Sequence, residues 1–171
     1  MRQLLGCILV LAVCFQLGLA QVRQYRRRLR LSRETAACLR RMEAELTERL
    51  TPLPELLSVL GKEAPPLAGA LFTALAQGTG ELERAPFGAL WQETLASYRD
   101  PGLVPELRRC LEELGWQLGR YSAQVQGQAV RVCREQAEIL AREQGRELET
   151  RTRLSLGLSL CAGAGAVILL L

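Results

Sequence analysis

The apolar residues of this chain divide it into two uncharged ends and a charged middle. Residues 4–20 and 154–171 contain no charged side chain, and they are seventeen and eighteen residues long. A helix of that length spans roughly 26 Å, close to the hydrocarbon thickness of a bilayer. The pattern predicts a transmembrane helix over residues 1–21, a helical domain over residues 22–153, and a second transmembrane helix over residues 154–171.

Arginines flank both apolar ends on the side that faces the middle of the chain. The first cluster contains Arg23, Arg26, Arg27, Arg28, Arg30 and Arg33, and the second contains Arg146, Arg151 and Arg153. Arginines beside a span stay in the cytoplasm, so the pattern predicts a membrane hairpin with a cytoplasmic domain. A cleaved signal peptide is the alternative for the N-terminus, since Arg2 precedes the apolar run and Gly18-Leu19-Ala20 is a passable cleavage site.

The middle of the chain shows helical periodicity interrupted by proline and glycine, and no stretch has the alternation typical of a strand. The predicted helices cover residues 23–50, 51–61, 65–78, 86–100, 105–119 and 122–153, with a loop over residues 78–85 and the last helix continuing into the apolar C-terminus. About six helices of this length can bury one core. The predicted fold is an all-α bundle.

Two local predictions concern how these helices begin and which face they bury. Thr51 is expected to cap the second helix, with Pro52 at its first position and Gly61 as its stop. The last helix is expected to bury a thin stripe made of Val125, Ala129, Val132, Gln136, Ile139 and Leu140.

The composition argues against catalysis. The chain has no histidine and no asparagine, one lysine and one aspartate, which excludes histidine-based acid–base chemistry and most zinc hydrolase sites. Glu43 and Glu45 diverge on a helix and Glu112 and Glu113 are adjacent, so we interpret these glutamates as solvated. The sequence predicts a non-enzymatic protein without cofactor, metal or small-molecule substrate.

The six cysteines show no C-x-x-C pair and no metal-ligand spacing. Cys7, Cys14 and Cys161 lie in the apolar ends. Cys38, Cys110 and Cys133 lie in the domain predicted to be cytoplasmic, where thiols stay reduced. We therefore expect free thiols.

The positive charge of the chain is local. Residues 22–33 hold six arginines and no acidic residue, whereas acidic residues outnumber basic ones over residues 34–153. Anchoring at anionic headgroups and contact with an acidic partner are both compatible with this cluster. Nucleic acid binding is not expected, because no aromatic platform accompanies the arginines beyond Tyr25.

Several short motifs resemble those of the stage III sporulation protein AB family. Met42-Glu43-Ala44-Glu45-Leu46 precedes Thr51-Pro52-Leu53-Pro54-Glu55-Leu56 by a short spacer, in the manner of the family's L-E-x-E-[IL] and T-P-L signature. The resemblance continues at Leu71-Phe72, Trp91, Leu111, Leu114-Gly115, Leu118-Gly119, Gln126 and Leu156-Gly157. An acidic residue expected shortly after the second glycine is absent, and Arg120-Tyr121-Ser122 stands there instead.

The resemblance implies a role in spore formation. Members of the family belong to a secretion-like complex in the mother-cell membrane around the forespore, and their cytosolic domain is similar to the platform protein of type II secretion systems. The resemblance therefore implies a platform or adaptor for a cytoplasmic ATPase, with other stage III sporulation membrane proteins as partners. A generic membrane hairpin that recruits another cytosolic protein remains the alternative.

Small residues suggest helix-packing positions. Gly115 and Gly119 share a helix face, where they would either allow close backbone approach or serve as a crowded packing site and a helix stop. Gly157, Cys161 and Gly165 line one face of the C-terminal segment at four-residue steps, a spacing that favours packing between membrane helices. Its partner would be the N-terminal span, another protein or a second copy.

Overall fold

A computed structural model describes the backbone of residues 2–49, 51–80 and 84–170, and the side chains of residues 20–49, 51–80 and 84–150. Within these residues the fold is all-α, which confirms the predicted class. The elements are α1 (Arg2–Ala44), a π-helical segment (Glu45–Arg49), α2 (Leu53–Glu63), α3 (Pro66–Gly78), α4 (Phe87–Ser97), α5 (Pro105–Gln117) and α6 (Ala123–Leu170).

The two long helices α1 and α6 pack side by side in opposite directions, and we call this pair the stem. Ser32 donates to Gln144 at 3.1 Å, whereas Glu43, eleven residues further along α1, accepts from Arg131 of α6 at 2.7 Å. Residue numbers therefore rise along α1 as they fall along α6. The N-terminal part of α1 and the C-terminal part of α6 lie at one end of the stem. The distal end is where α1 ends and α6 begins.

The four short helices pack against this stem in two hairpins. The α2–α3 hairpin contacts α1, and the α4–α5 hairpin reaches α6 through α5. Their shared core is built from large side chains with no solvent exposure, among them Trp91, Phe72, Leu39 and Met42. The one contiguous cluster explains why four helices of 11 to 13 residues are stable beside the stem.

Prolines set the starts of the short helices, as the sequence predicted, but the cap of α2 was predicted wrongly. Pro52 occupies the N-cap position and makes no side-chain cap bond, while the Thr51 hydroxyl bonds the Glu45 carboxylate at 3.0 Å. The predicted stop at Gly61 was also wrong. α2 continues to Glu63, and Gly61 provides the space in which Thr73 of α3 packs, because a Cβ there would lie 2.6 Å from the Thr73 hydroxyl.

The predicted buried face of α6 was wrong for most of its length. Val125, Val132 and Ile139 are 42 to 52 % exposed, and Gln136 is exposed. Ala129 and Leu140 are half-buried. The buried apolar side chains in the described part of α6 are Val130, Cys133, Ala137 and Ala141. Alanines of α6 face α1 because small side chains let the two helices approach closely, whereas the prediction from the apolar pattern gave more weight to the larger residues.

The prediction of free thiols was wrong for two of the three cysteines in the middle of the chain. Cys110 of α5 and Cys133 of α6 form a disulfide with their Cα atoms 5.6 Å apart. The pairing arises because these two residues lie on the facing sides of adjacent helices. Cys38 is free and buried. Burial, followed by the nearby Glu34, raises the pKa of the Cys38 thiol to about 11, although Arg41 opposes the shift.

The predicted transmembrane helices at residues 1–21 and 154–171 lie almost wholly outside the residues whose side chains are described. Within the described part of the chain, no helix combines the length and apolar character needed to cross a membrane. The backbone of α6 is helical from Ala123 to Leu170, so the predicted continuation of this helix into the apolar segment is confirmed.

Gly119 ends α5 in a backbone conformation that favours glycine. Its φ is +74°, and the turn it makes directs the chain from α5 towards α6. Because an L side chain is strained in this region, we expect Gly119→Ala to lower the free energy of unfolding by about 1–2 kcal/mol. Urea denaturation of the full chain in mild detergent measures this loss.

Gly145→Ala is the matched control for Gly119→Ala. Gly145 lies within α6, and an added Cβ would make ordinary contacts at 3.6 Å or more with Arg33 and Leu29. Alanine favours a helix interior by about 1 kcal/mol over glycine, so this variant should be more stable than the wild type. Equal destabilisation by both substitutions would contradict the assignment of Gly119 as a turn residue.

Candidate partner-binding site

A cavity of about 540 Å³ lies at the distal end of the stem, and we call it the distal pocket. It is formed where five elements begin or end: the π-helical segment, α2, α4, α5 and α6. The lining residues are Leu46, Thr51, Pro52, Leu53, Pro54, Pro86, Phe87, Gly119, Ala123 and Gln126. Most of this lining is apolar, with one hydroxyl and one amide.

Some of the motif residues quoted above line this pocket although they are far apart in sequence, whereas Leu71, Phe72, Trp91 and Leu111 lie in the core. Leu46 belongs to the first motif, Thr51 through Pro54 to the second, and Gly119 and Gln126 to the later ones. Pro86, Phe87 and Ala123 complete the lining, and sequence reasoning missed all three as site residues. Their position in the sequence could have indicated them, since each lies at or directly before the first residue of a helix.

Hydrogen bonds hold the rim of the distal pocket in place. Glu45 accepts from the Thr51 hydroxyl at 3.0 Å with one carboxylate oxygen and pairs with Arg49 at 3.1 Å through the other. On the opposite side, the Gln126 amide donates to the Tyr121 carbonyl at 2.6 Å. The rim is therefore fixed by side chains on both sides, which reduces the ordering cost of binding a partner.

Glu43 and Glu45, the glutamates of the first motif, are not solvated, and the prediction from the sequence was wrong for these two residues. The side chains of Glu43 and Glu45 are only 15 and 16 % exposed. Glu43 accepts from Arg131 at 2.7 Å and from Arg134 at 3.1 Å, so it fastens α1 to α6. Glu45 fastens the π-helical segment to Thr51. Both glutamates thus support the elements that line the distal pocket.

The ion pairs of the stem form a connected network. Arg134 also pairs with Glu138 at 2.8 Å, and Glu138 accepts from Arg40 at 2.8 Å. Burial disfavours the ionised form of Glu43, but hydrogen bonds from Arg131 and Arg134 outweigh it and lower the pKa of this carboxyl. Hydrogen bonds from Arg40 and Arg134 likewise lower the pKa of Glu138.

Several large apolar residues outside the core are exposed. They are Trp116 on α5, Tyr121 between α5 and α6, and Val125, Val132 and Ile139 on α6. A groove of about 230 Å³ between α5 and α6 has Val125 and Val132 among its lining residues, together with Glu113, Gln117 and Gln136.

The arginines predicted at the membrane boundary separate into two groups. Arg23, Arg26, Arg27 and Arg30 line one groove. Arg28 lies over the Tyr25 ring at 5.6 Å, and Arg33 approaches Gly145 of α6. The side chains of Arg151 and Arg153 lie outside the described residues.

The candidate packing glycines have separate roles. Gly115 is buried inside α5, where a Cβ would overlap the indole of Trp91, and Gly119 is the turn residue beyond the helix. Gly157, Cys161 and Gly165 lie in the part of α6 whose side chains are not described.

The distal pocket has the chemistry of a binding site. Its lining has no titratable side chain, and within the described residues no group of three metal-ligating side chains comes together. An apolar cavity with one amide and one hydroxyl can accept a bulky apolar side chain and fix its orientation. The fold and pocket define an all-α protein with a largely apolar pocket at the far end of a two-helix stem.

The comparison with protein families identifies the chain. The pattern of stage III sporulation protein AB matches residues 3–171, and the chain therefore belongs to this family. No curated protein and no solved structure shows significant similarity to the sequence. Membership gives the chain a role in stage III of sporulation.

Proposed function

We propose that this protein is a non-enzymatic membrane component of the secretion-like complex between mother cell and forespore, and that it acts as the platform for a cytoplasmic ATPase. Both ends are inserted in the mother-cell membrane around the forespore, and the distal pocket faces the mother-cell cytoplasm, so the disulfide between Cys110 and Cys133 would have to persist in a reducing compartment. Similarity of the family's domain to the type II secretion platform protein is part of this proposal.

The observation that supports the proposal is the position of the distal pocket. It lies at the end of the stem opposite the chain termini, and its largely apolar lining includes residues from three of the family's motifs, among them Leu46, Pro52 and Gly119. If the apolar ends are in the bilayer, the pocket is the part of the chain furthest from it. A cytoplasmic ring could reach this pocket without approaching the lipid.

The stem supplies the mechanical part of the function. α6 continues without a break from the pocket lining at Ala123 to Leu170, and the Glu43 and Glu138 ion pairs join it to α1. A displacement at the distal pocket is therefore transmitted along two rigid, cross-linked helices. No reaction is needed at the chain itself, and an ATPase would provide the energy.

The partner is tested by recovery of the tagged full chain from sporulating cells in mild detergent. We expect an ATPase among the recovered proteins, identified by mass spectrometry, together with other stage III sporulation membrane proteins. Recovery of a different cytosolic protein without an ATPase would favour a generic scaffold and contradict the adaptor proposal.

A single substitution in the pocket should weaken partner binding without disturbing the fold. Ala123→Glu places a carboxylate against the apolar lining, where an unpaired charge in a buried contact costs several kcal/mol. We expect ATPase recovery to fall by roughly tenfold or more. The helix itself should tolerate the change, since an acidic residue in the first turn of α6 interacts favourably with the helix dipole.

Gln124→Glu is the matched control for Ala123→Glu. It adds the same charge to the same helical turn, but Gln124 is exposed and does not line the pocket. ATPase recovery should equal that of the wild type. Equal losses in both variants would show a long-range charge effect, and no loss in either would show that the partner binds elsewhere.

A further inference from the structure

The proximal half of α1 carries a groove lined by four arginines together with Gln24, Leu67 and Pro101, and we call it the arginine groove. Arg23, Arg26, Arg27 and Arg30 recur at steps of three and four residues, so they share one face of the helix. The groove has a volume of about 590 Å³ and is closed on its other side by Leu67 at the start of α3 and by Pro101.

One of the four arginines is held in place by the fold. Arg27 donates to both oxygens of Asp100, through Nε at 3.0 Å and Nη2 at 2.7 Å. Asp100 also accepts from the Gly102 amide at 2.6 Å. The Arg27 hydrogen bond is the main cause of a lowered pKa at Asp100, so this carboxylate stays ionised at neutral pH. The only aspartate of the chain thus anchors the groove.

The other three guanidinium groups have no carboxylate partner within the described part of the chain. Arg23, Arg26 and Arg30 are exposed and form no ion pair there. The nearby Glu34 is already used, because it accepts from the Leu67 and Ala68 amides at 3.0 and 3.1 Å and caps α3. Further along the stem, by contrast, Arg40, Arg131 and Arg134 all pair with glutamates.

Like charges at these spacings destabilise a helix. Because the fold pairs Arg40, Arg131 and Arg134 with glutamates but leaves three charges together in a groove, an anion from outside the chain is the natural counter-charge. Guanidinium forks match the geometry of phosphate oxygens and bind them by paired hydrogen bonds.

We propose that the arginine groove binds a phosphate group, and that its source is the headgroup of an anionic phospholipid. The groove begins three residues after the apolar run that ends at Ala20. The choice of a lipid source rests on the membrane insertion in the proposed function, whereas phosphate binding itself does not. The groove is a specific site and differs in this from general attraction between juxtamembrane arginines and a charged surface.

The test is native mass spectrometry of the full chain in mild detergent, titrated with phosphatidylglycerol and, separately, with phosphatidylcholine. The site variant combines Arg23→Gln, Arg26→Gln and Arg30→Gln. We expect the wild type to bind phosphatidylglycerol roughly tenfold or more tightly than phosphatidylcholine, and the site variant to lose this preference, since each arginine near an anionic surface contributes about 1 kcal/mol.

The matched control removes the same charge beside the other apolar end, by Arg146→Gln, Arg151→Gln and Arg153→Gln. It should keep the preference of the wild type. Equal losses in the site variant and this control would overturn the proposal, because the effect would then be general electrostatics. Thermal melting serves as the folding check, and removal of three repelling charges should leave the site variant at least as stable as the wild type.

Inorganic phosphate distinguishes the two sources of the phosphate group. Binding of inorganic phosphate that the site variant abolishes, without any preference for phosphatidylglycerol over phosphatidylcholine, would keep the phosphate site and overturn the lipid source. No binding of either ligand by the wild type would overturn both. None of these results depends on recovery of an ATPase, so failure here is distinguishable from failure of the adaptor proposal.

Discussion

Trp91→Ala should destabilise the protein by about 3–5 kcal/mol, the usual range for loss of a fully buried tryptophan. Trp91 has no solvent exposure, and its indole Nε1 donates to the Leu111 carbonyl at 2.7 Å. Its ring centroid lies 5.7 Å from that of Phe87, and Gly115 provides the space for the indole. The substitution removes the contact that joins α4 to α5 and leaves a cavity. Urea denaturation followed by circular dichroism measures the loss.

The chain contains its own control for this prediction. Trp116 lies on α5 directly after Gly115, but it is 55 % exposed. Trp116→Ala removes the same side chain without opening a cavity, and we expect a change within about 0.5 kcal/mol. If both tryptophan substitutions cost the same, the core described for α4 and α5 would be incorrect.

Glu43→Gln should lower the free energy of unfolding by about 1–3 kcal/mol, since it removes a charge that two arginines share across the stem. Arg134 is 17 % exposed and would keep only its bonds to Glu138 and Glu135. Glu48→Gln is the control: Glu48 is exposed and forms no ion pair within the described residues, so its replacement should be nearly neutral.

The pH dependence gives a second readout of the Glu43 contact. Since the pKa of Glu43 is lower in the folded protein than the ordinary value of 4.5, its contribution to stability is present above that value and is lost as the pH falls through the folded pKa. The stability difference between wild type and Glu43→Gln should therefore narrow below about pH 4.5. A difference that stays constant into strong acid would exclude the ion pair as its source.

The order of helices and most of their starts could be predicted from the sequence, because proline marks a helix start through its own backbone geometry. Pro66 and Pro105 open α3 and α5 as expected. The start of α2 was harder to predict. Thr51 has the side chain of a good cap, but its hydroxyl is taken by Glu45 from the preceding segment, and that competition is a tertiary contact.

The buried face of α6 could not be predicted from hydrophobic periodicity. Ala137 and Ala141 of α6 are buried, while Val132 and Ile139 are exposed. Close packing between α1 and α6 favours small residues over large apolar ones. The same tertiary information was missing for Cys110 and Cys133, whose separation of 23 residues gives no hint that they face each other.

The candidate site was only partly predictable. The motifs indicated candidate functional residues. Leu46, Pro54 and Gln126 lie together, however, only because five elements begin or end at the same place. The arginine cluster was evident in the sequence. The sequence did not show which arginines form the groove and that Arg28 and Arg33 lie outside it. This arrangement depends on Asp100, which is 73 residues away from Arg27.

The most direct test of the account is the side of the membrane on which the distal end lies. Glu48→Cys places a thiol on exposed surface beside the distal pocket. Labelling of the wild type measures the background from the native cysteines, of which Cys38 is buried and has a thiol pKa of about 11. In protoplasts of non-sporulating cells that express the chain, where the far side of the membrane faces the medium, a membrane-impermeant maleimide should label this thiol only after permeabilisation. Labelling in intact protoplasts would place the distal pocket outside the cytoplasm and contradict the proposed platform for a cytoplasmic ATPase.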